Sequence, residues 1–359
     1  MPLNLYGQQS NKPKLRLARI NDRNRAESVE IETESAARLH FGFLDVSGSL
    51  GRMFGSIGLS ISGPRVKVRA RFADRMSVSG RDADAVNAAT KYARMFYGQP
   101  EIRDASGLPG AEIFLDDAIP FHCGFGAGTQ LALCVVSSLC RLYGLKRSCA
   151  DMALMTGRGK RSGIGIESFG RGGFIVDAGA PPGGAPLTLF RADFPASWRA
   201  VTILPPGMGK GLNGMDESSA FKNMPKPDPE RSREICHIVM MKLLPALLEN
   251  EIAHFGDALG RIQEITGEGF APFQSGSPFA SPIARDVFRK MGSLGASGMG
   301  QSSWGPVLYG FVDGQDRARD LASCLRGYFS LSDALMGEDL AVSVVSGRNR
   351  GAVTRVLKF

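Results

Sequence analysis

A chain that sets Cys123-Gly124-Phe125-Gly126-Ala127-Gly128 between a short strand and an apolar helix has few ways to fold around that segment. The glycines permit φ values and close backbone approaches that side chains forbid. From Thr129 to Tyr143 the chain is apolar almost throughout and then meets Gly144, so the spacing predicts a buried helix with a glycine stop. A helix start leaves amide N–H groups unpaired, and a glycine turn aims them at one point. That geometry favours an anion, most naturally a phosphate or pyrophosphate. Gly124, Gly126, Ala127, Gly128 and Thr129 are therefore the candidate phosphate-binding residues, with Thr129 either capping the helix or touching a metal ion. The plain alternative is a glycine turn before a core helix. The G-x-G-x-G spacing departs from the Rossmann G-x-G-x-x-G, and no Gly-Lys-Ser/Thr follows to make a Walker loop.

The rest of the chain alternates strands and helices without a strict βαβ repeat, which points to α+β. Val29 to Thr33 and Val66 to Phe72 alternate with a period of two, and Met76 to Gly80 follows a short turn. A helix is predicted from about Asp82 to Tyr97, then a short strand at Glu112 to Leu115. Strands are predicted at Gly172 to Gly179 and Arg199 to Leu204, stopped by Pro205-Pro206-Gly207. The Gly-, Asn-, Met- and Pro-rich stretch from Gly207 to Pro229 reads as a loop or lid. Helices follow near Arg231 to Glu249, Glu251 to Thr266 and Ile283 to Met291. A strand at Pro306 to Val312, a helix at Gln315 to Arg326 and a last strand near Ala341 to Val345 complete the chain.

With 359 residues, 43% of them hydrophobic, two packed lobes are expected, parting at residue 206. Residues 1 to 27, polar and arginine-rich, read as a flexible basic extension. The net charge of +8 is dispersed, and no zinc-finger, RNP or helix-turn-helix pattern accompanies it. An anionic small substrate suits it better than nucleic acid. No apolar run is long enough for a membrane span and Met1 to Asn11 has no signal core, so a cytoplasmic protein is expected. The 6 cysteines form no CxxC and read as reduced core residues, and the 4 histidines are too scattered for a metal site.

Two more segments agree with the glycine turn: Ala37-Arg38-Leu39-His40-Phe41-Gly42-Phe43-Leu44-Asp45 and Ser297-Gly298-Met299-Gly300-Gln301-Ser302-Ser303-Trp304-Gly305. Three such segments in this order resemble the three motifs of the GHMP kinase superfamily, over nearly the whole chain after residue 28. The resemblance implies a two-lobe fold: residues 28 to 206 like domain 2 of ribosomal protein S5, residues 207 to 359 ferredoxin-like. It also implies ligand phosphates at the middle motif, closed over by the third, with Gly298 and Gly300 contributing.

The departures from the kinase pattern carry as much as the match. Where GHMP kinases have Gly-Leu-Gly-Ser-Ser-Ala, the serine positions here are Ala127 and Gly128. Where many have Ser-Gly-Ile-Asp, this chain reads Ser162-Gly163-Ile164-Gly165, so the catalytic aspartate is a glycine. Phosphoryl transfer to a hydroxyl wants a carboxylate near the nucleophile. These features resemble the β-ribofuranosylaminobenzene 5′-phosphate synthases of methanopterin biosynthesis, as do Arg38 to Gly42, Leu44-Asp45, Gly51-Arg52, Gly55 to Leu59 and Gly172 to Asp177.

That resemblance implies condensation of phosphoribosyl pyrophosphate with 4-aminobenzoate, releasing pyrophosphate and carbon dioxide, with Mg2+ and in a homodimer. Asp45 is then expected to steady positive charge at ribose C1 or bind magnesium, and Arg52 to pair with a phosphate or the benzoate. Arg38 and His40 are the next catalytic candidates. Glu167 and Asp177 are candidate magnesium ligands or turn caps; Lys160 and Arg161 a phosphate clamp or plain surface. Trp304 either stacks on the aromatic substrate or packs in the core, and His122 satisfies a local hydrogen bond. A small-molecule kinase using Glu167 or Asp177, and an inactive phosphate-ligand-binding protein, are the competing readings.

Overall fold

The computed structural model describes residues 29–104, 108–181, 184–206, 228–330 and 340–358. The basic extension and nearly all of the expected 207–229 loop lie outside them. The chain opens with β1 (Val29–Asp45) and β2 (Phe54–Ala73), paired antiparallel from Glu30↔Arg71 to Asp45↔Phe54. Alternation is visible in the result: Ile31, Val66, Val68 and Ala70 point into the core. On the other face the acidic residues of β1 meet the basic residues of β2 across the strands, Glu34 with Arg65, Glu32 with Lys67 and Glu30 with Arg69. These basic side chains are thus paired within the sheet.

β3 (Ser77–Gly80) pairs in parallel with β4 (Gly110–Asp117) across α1 (Ala83–Tyr97) and α2 (Pro100–Arg103). Asp82 caps α1 by accepting from the amide of Ala85. Next come α3 (Ala127–Leu142), α4 (Cys149–Met155) and α5 (Ile164–Gly170), then β5 (Phe174–Asp177) and β6 (Thr188–Ala192). α3 is buried on nearly every side, as its mostly apolar sequence requires, with Gln130 and Ser138 hydrogen-bonded to Ser35 and Thr33 of β1. It packs on β1 and β2 and against α1, so the glycine turn before it sits at the edge of the first sheet's core.

The second sheet is built from β7 (Trp198–Leu204), β8 (Ser297–Gln301), β9 (Leu308–Asp313) and β10 (Ala341–Ser346), in the order β10-β7-β9-β8 with antiparallel neighbours. Between β7 and β8 lie α6 (Pro229–Ile238), a π-helical turn (Val239–Leu243), α7 (Leu244–Leu248), α8 (Ile252–Phe270) and α9 (Ala284–Ser293). α10 (Gln315–Ser330) joins β9 to β10. This is a ferredoxin-like order with helices inserted, and the architecture is α+β. β11 (Val353–Lys358), a strand the residue patterns do not announce, then returns to pair with β1 in the first sheet. The division at 206 is therefore not where the sheets divide. β7 already belongs to the second sheet, and the chain's last strand belongs to the first.

The two sheets share one core. Phe41 of β1, Phe174 of β5 and Phe194 meet Trp198 of β7, Phe255 of α8 and Phe311 of β9 in continuous ring contacts. Phe255 is fully buried at the middle of this cluster. Phe255→Ala is expected to destabilise the protein by about 3–5 kcal/mol, seen in urea unfolding as a lower midpoint with both sheets still melting together.

Candidate active site

The glycine turn reverses through left-handed backbone at His122 (φ 60°), Gly124 (φ 97°) and Gly126 (φ 81°). Gly126 is the N-cap of α3 and offers no side-chain cap, and no acidic residue stands in the first turn of the helix. Thr129 N and Gln130 N both donate to Gly126 O (3.1 and 3.2 Å), so among the candidates the amides of Ala127 and Gly128 are the ones left for another partner. The turn is held from two sides. Arg38 of β1 donates its amide to Phe125 O (3.0 Å) and its Nη1 to Gly124 O (2.5 Å). From the second sheet, Ser302 Oγ donates to Gly124 O (2.7 Å) and Val307 N to Cys123 O (3.1 Å). His40 donates its amide to Ser302 Oγ (3.0 Å), and Ser303 N donates to His40 O (3.1 Å). The three sequence segments therefore meet in one junction.

Within the third segment, the contact is made by residues other than the expected pair. Gly298 and Gly300 lie on β8 against α8. A Cβ on Gly298 would meet Gly256, Leu259 and Phe311, and one on Gly300 would fall 2.4 Å from Gln263 Oε1. Their glycines make room for a helix, not for a phosphate. Ser302 and Gly305 are the residues that touch the turn, and a Cβ on Gly305 would lie 2.3 Å from the Cys123 carbonyl and the Gly124 amide. Ser302 stands inside the quoted segment, but nothing local distinguishes it from Ser303.

Of the first-segment candidates, Arg38 lies directly on the turn, its guanidinium carbon 3.1 Å from where a Cβ of Gly126 would be. His40 is buried at 2% exposure, with its Nδ1 accepting from Gly42 N (3.3 Å) and its ring edge-on to Phe43. Burial first, and then the charges of Arg38 and Arg161, hold its pKa well below the ordinary imidazole value. The ring is neutral at pH 7, with Nε2 carrying the proton. Asp45 makes an Asx turn: its Oδ1 accepts from Ser47 N (2.7 Å), Ser47 Oγ (2.6 Å) and Ser232 Oγ (3.0 Å). The turn is what the structure shows, and Oδ2 has no hydrogen-bond partner among the described residues. Arg52 donates to Ala178 O (3.0 Å) and Gly179 O (2.8 Å), tying its loop to the exit of β5. Two of its five N–H groups are so used.

Gly165 faces the turn. A Cβ there would stand 3.0 Å from Thr129 Cγ2, while its carbonyl accepts from Gln130 Nε2 (2.8 Å). A carboxylate at this position would lie against the start of α3, and none does. Asp177 is fully buried nearby, bonded to Ser56 Oγ, Gly163 N (3.0 Å) and Gly179 N (2.7 Å). Burial raises its pKa above the usual carboxylate value against the opposing pull of those donors. Glu167 is tied to Arg171 and Thr188. The two carboxylates proposed for magnesium are thus each engaged by other partners. No group of three or more His, Cys, Asp or Glu side chains suited to a metal exists among the described residues.

Lys160 is exposed, and Arg161 lies close enough to His40 to depress its basicity. Trp304 is core: 3% exposed and stacked on Phe270 at 3.8 Å. The ring of His122 lies 5.8 Å from that of Phe121. Beside Asp45 a cavity of about 330 Å³ opens between β1 and helices α6 and α8. Its walls are Phe43, Leu44, Ile235, Ile265 and Phe270, with the Arg231–Glu268 ion pair (3.3 Å) also lining it. Ser232, the donor to Asp45, lines it too.

The neutral His40 sets a pH dependence of stability. Its folded-state pKa lies below that of the unfolded chain, so the unfolded state takes up the proton first as the pH falls. Stability present above pH ~6.5 is expected to be lost below it, by about 1.4 kcal/mol per pH unit until the folded ring titrates. His40→Asn, which keeps an acceptor for Gly42 N, is expected to flatten that part of the profile in denaturant melts between pH 7.5 and 5.

Residues 86–172 match the GHMP kinases N terminal domain and residues 243–331 the GHMP kinases C terminal family. A β-ribofuranosylphenol 5′-phosphate synthase of Archaeoglobus fulgidus is 32% identical over 345 residues, spanning 91% of this chain and 100% of that protein. One from Methanothermobacter thermautotrophicus is 30% identical over 343 residues, 90% of this chain and 98% of that protein. Among solved structures, mevalonate diphosphate decarboxylase from Staphylococcus aureus superposes with a TM-score of 0.66 at 12% identity, covering 92% of this chain and 99% of that one. Homoserine kinase from Cytophaga hutchinsonii gives 0.60 at 16% identity, covering 92% and 98%. The structural likeness establishes the fold, and the sequence likeness runs nearly end to end: the chain belongs to the GHMP kinase superfamily and, within it, to the family of the β-ribofuranosylphenol 5′-phosphate synthases.

Proposed function

We propose that this protein is a C-riboside 5′-phosphate synthase. The ring carbon of a para-substituted benzoate that bears the carboxylate attacks C1 of phosphoribosyl pyrophosphate. Pyrophosphate leaves with the electrons of the C1–O bond, and loss of carbon dioxide returns the C–CO2 bond electrons to the ring. The observation that carries this reading is the glycine turn itself: open amides at the start of α3, arginine beside them, and a glycine where a kinase has its carboxylate. Such a site takes a phosphorylated donor without activating a hydroxyl. The names of the relatives supply the product class.

The acceptor is a benzoate with a para electron donor. The sequence resemblance implies 4-aminobenzoate, whereas the relatives are named for a phenol, which corresponds to 4-hydroxybenzoate. Either substituent pushes electron density to the carbon opposite it, where the new bond forms. We place the ring in the cavity beside Asp45, whose volume is at the lower end of small-molecule sites and whose walls are mainly apolar. Asp45 Oδ2 then offers a negative charge to the cation developing at C1. Magnesium would accompany the donor's pyrophosphate and offset part of its charge.

Incubation with phosphoribosyl pyrophosphate and carboxyl-labelled 4-aminobenzoate or 4-hydroxybenzoate is expected to release labelled carbon dioxide. The better of the two acceptors is identified by kcat/KM. ATP turnover without that release would favour a kinase; ligand binding with neither activity would favour a binding protein. Asp45→Asn retains an oxygen for the Asx turn and removes the charge. It is expected to lower kcat by about 10²–10³ with the melting temperature unchanged, and near-normal turnover would remove Asp45 from the mechanism.

A further inference from the structure

Gly128 poses a question its backbone does not answer. It is the second residue of α3 and has an ordinary negative φ, so left-handed geometry is not the reason for glycine there. Glycine in a helix is less favourable than alanine. The reason is space. A Cβ on residue 128 would fall 2.8 Å from Arg158 Nη2, 3.1 Å from its Cζ and 3.2 Å from its Nη1. The guanidinium lies flush on the first turn of α3, in the place that the serine side chain of the kinase pattern would take.

Arg158 is built into that position. Its amide donates to Ala153 O (2.7 Å), and left-handed glycines, Gly157 and Gly159, flank it. Its guanidinium sits 5.3 Å above the ring of Tyr92 and bonds the Tyr92 hydroxyl. It forms no ion pair with a carboxylate of the described residues. A full positive charge is thus held against the positive end of a 16-residue helix whose first turn has no acidic residue. That contact is repulsive. Two residues earlier, Arg38 is packed against Gly126, whose left-handed backbone already calls for glycine. Two guanidinium groups thus lie beside the same turn.

We infer that Arg158 is a ligand of the donor's pyrophosphate and that residue 128 is glycine in order to admit it. The inference rests on the donor-binding reading proposed above. A multiply charged anion seated between the α3 amides and the guanidinium turns the repulsion into attraction. The planar fork of arginine pairs two phosphate oxygens at once, which a serine hydroxyl does not. The charge also accompanies the leaving group, so Arg158 serves the step in which pyrophosphate departs. Arg158 is in this sense what the chain has where a phosphoryl-transferring relative has a hydroxyl.

The test uses inorganic pyrophosphate as the probe in titration calorimetry, alongside the donor KM in the riboside assay. Arg158→Met, which keeps packing on Tyr92, is expected to raise the pyrophosphate Kd at least tenfold without lowering the ligand-free melting temperature. Gly128→Ser is expected to weaken binding by displacing the guanidinium, and the double variant to be no weaker than Arg158→Met alone. A Kd for Arg158→Met within twofold of the unmodified protein overturns the inference, as does an unmodified protein that does not bind pyrophosphate. Should Arg158→Met fail to fold, Gly128→Ala decides: a fivefold or larger rise in Kd upholds the inference and an unchanged Kd ends it. Pyrophosphate binding that depends on Arg158, with no riboside formed from either acceptor, would leave this inference standing and remove the proposed reaction. Riboside synthesis with an unchanged donor KM in Arg158→Met would do the reverse.

Discussion

The carbonyl of Gly124 accepts from Arg38 Nη1 and from Ser302 Oγ, and these two bonds hold together what the rest of the site requires. Arg38 belongs to the first sheet's opening strand, and Ser302 follows β8 of the second sheet. A single peptide group at the start of α3 is thereby clamped between the two halves of the molecule. The clamp leaves the amides of Ala127 and Gly128 unpaired among the described residues, because the bonds that fix the turn are made through carbonyl oxygens. A turn held by its N–H groups would have nothing left for a phosphate.

Around that turn the charge is arranged for an anion and against phosphoryl transfer. Arg38 and Arg158 lie on the glycines at 126 and 128, and Arg161 is near enough to help keep His40 neutral. Gly165 presents no carboxylate toward Thr129, and Asp177, the buried acid in that neighbourhood, is committed to Ser56 and two backbone amides. A hydroxyl nucleophile would find no carboxylate at position 165 to take its proton. A carbon nucleophile made electron-rich by its own para substituent does not need one, so the fold of a kinase family can serve a different bond. The open oxygen of Asp45, beside an apolar cavity, is where such a reaction would use a negative charge.

Several features were open to reading from residue order because their causes are local. Alternating Ile, Val and charged residues place β1 and β2, since a half-buried strand has a period of two. The apolar run after Gly128 becomes α3 because a helix without a polar face has to be buried. The glycine turn and the missing aspartate at position 165 are equally legible, because each is a statement about which side chain is present or absent.

What the tertiary structure alone decided is which of these residues meet. Gly298 and Gly300 look like a second phosphate loop in the sequence, yet they are glycine because α8 runs against β8. Ser302, Arg158 and the return of β11 to β1 have no local signature; they act on partners distant in the chain. Asp45 has the sequence of a turn residue and is one, but only the fold shows that its second oxygen is left open near a cavity. The sequence by itself determined the chemistry available, a glycine turn suited to an anion and without a kinase carboxylate, because residue identity sets charge, size and backbone freedom. The fold decided where that chemistry converges, because contacts between distant segments depend on how sheets and helices pack, and no local pattern encodes a distance.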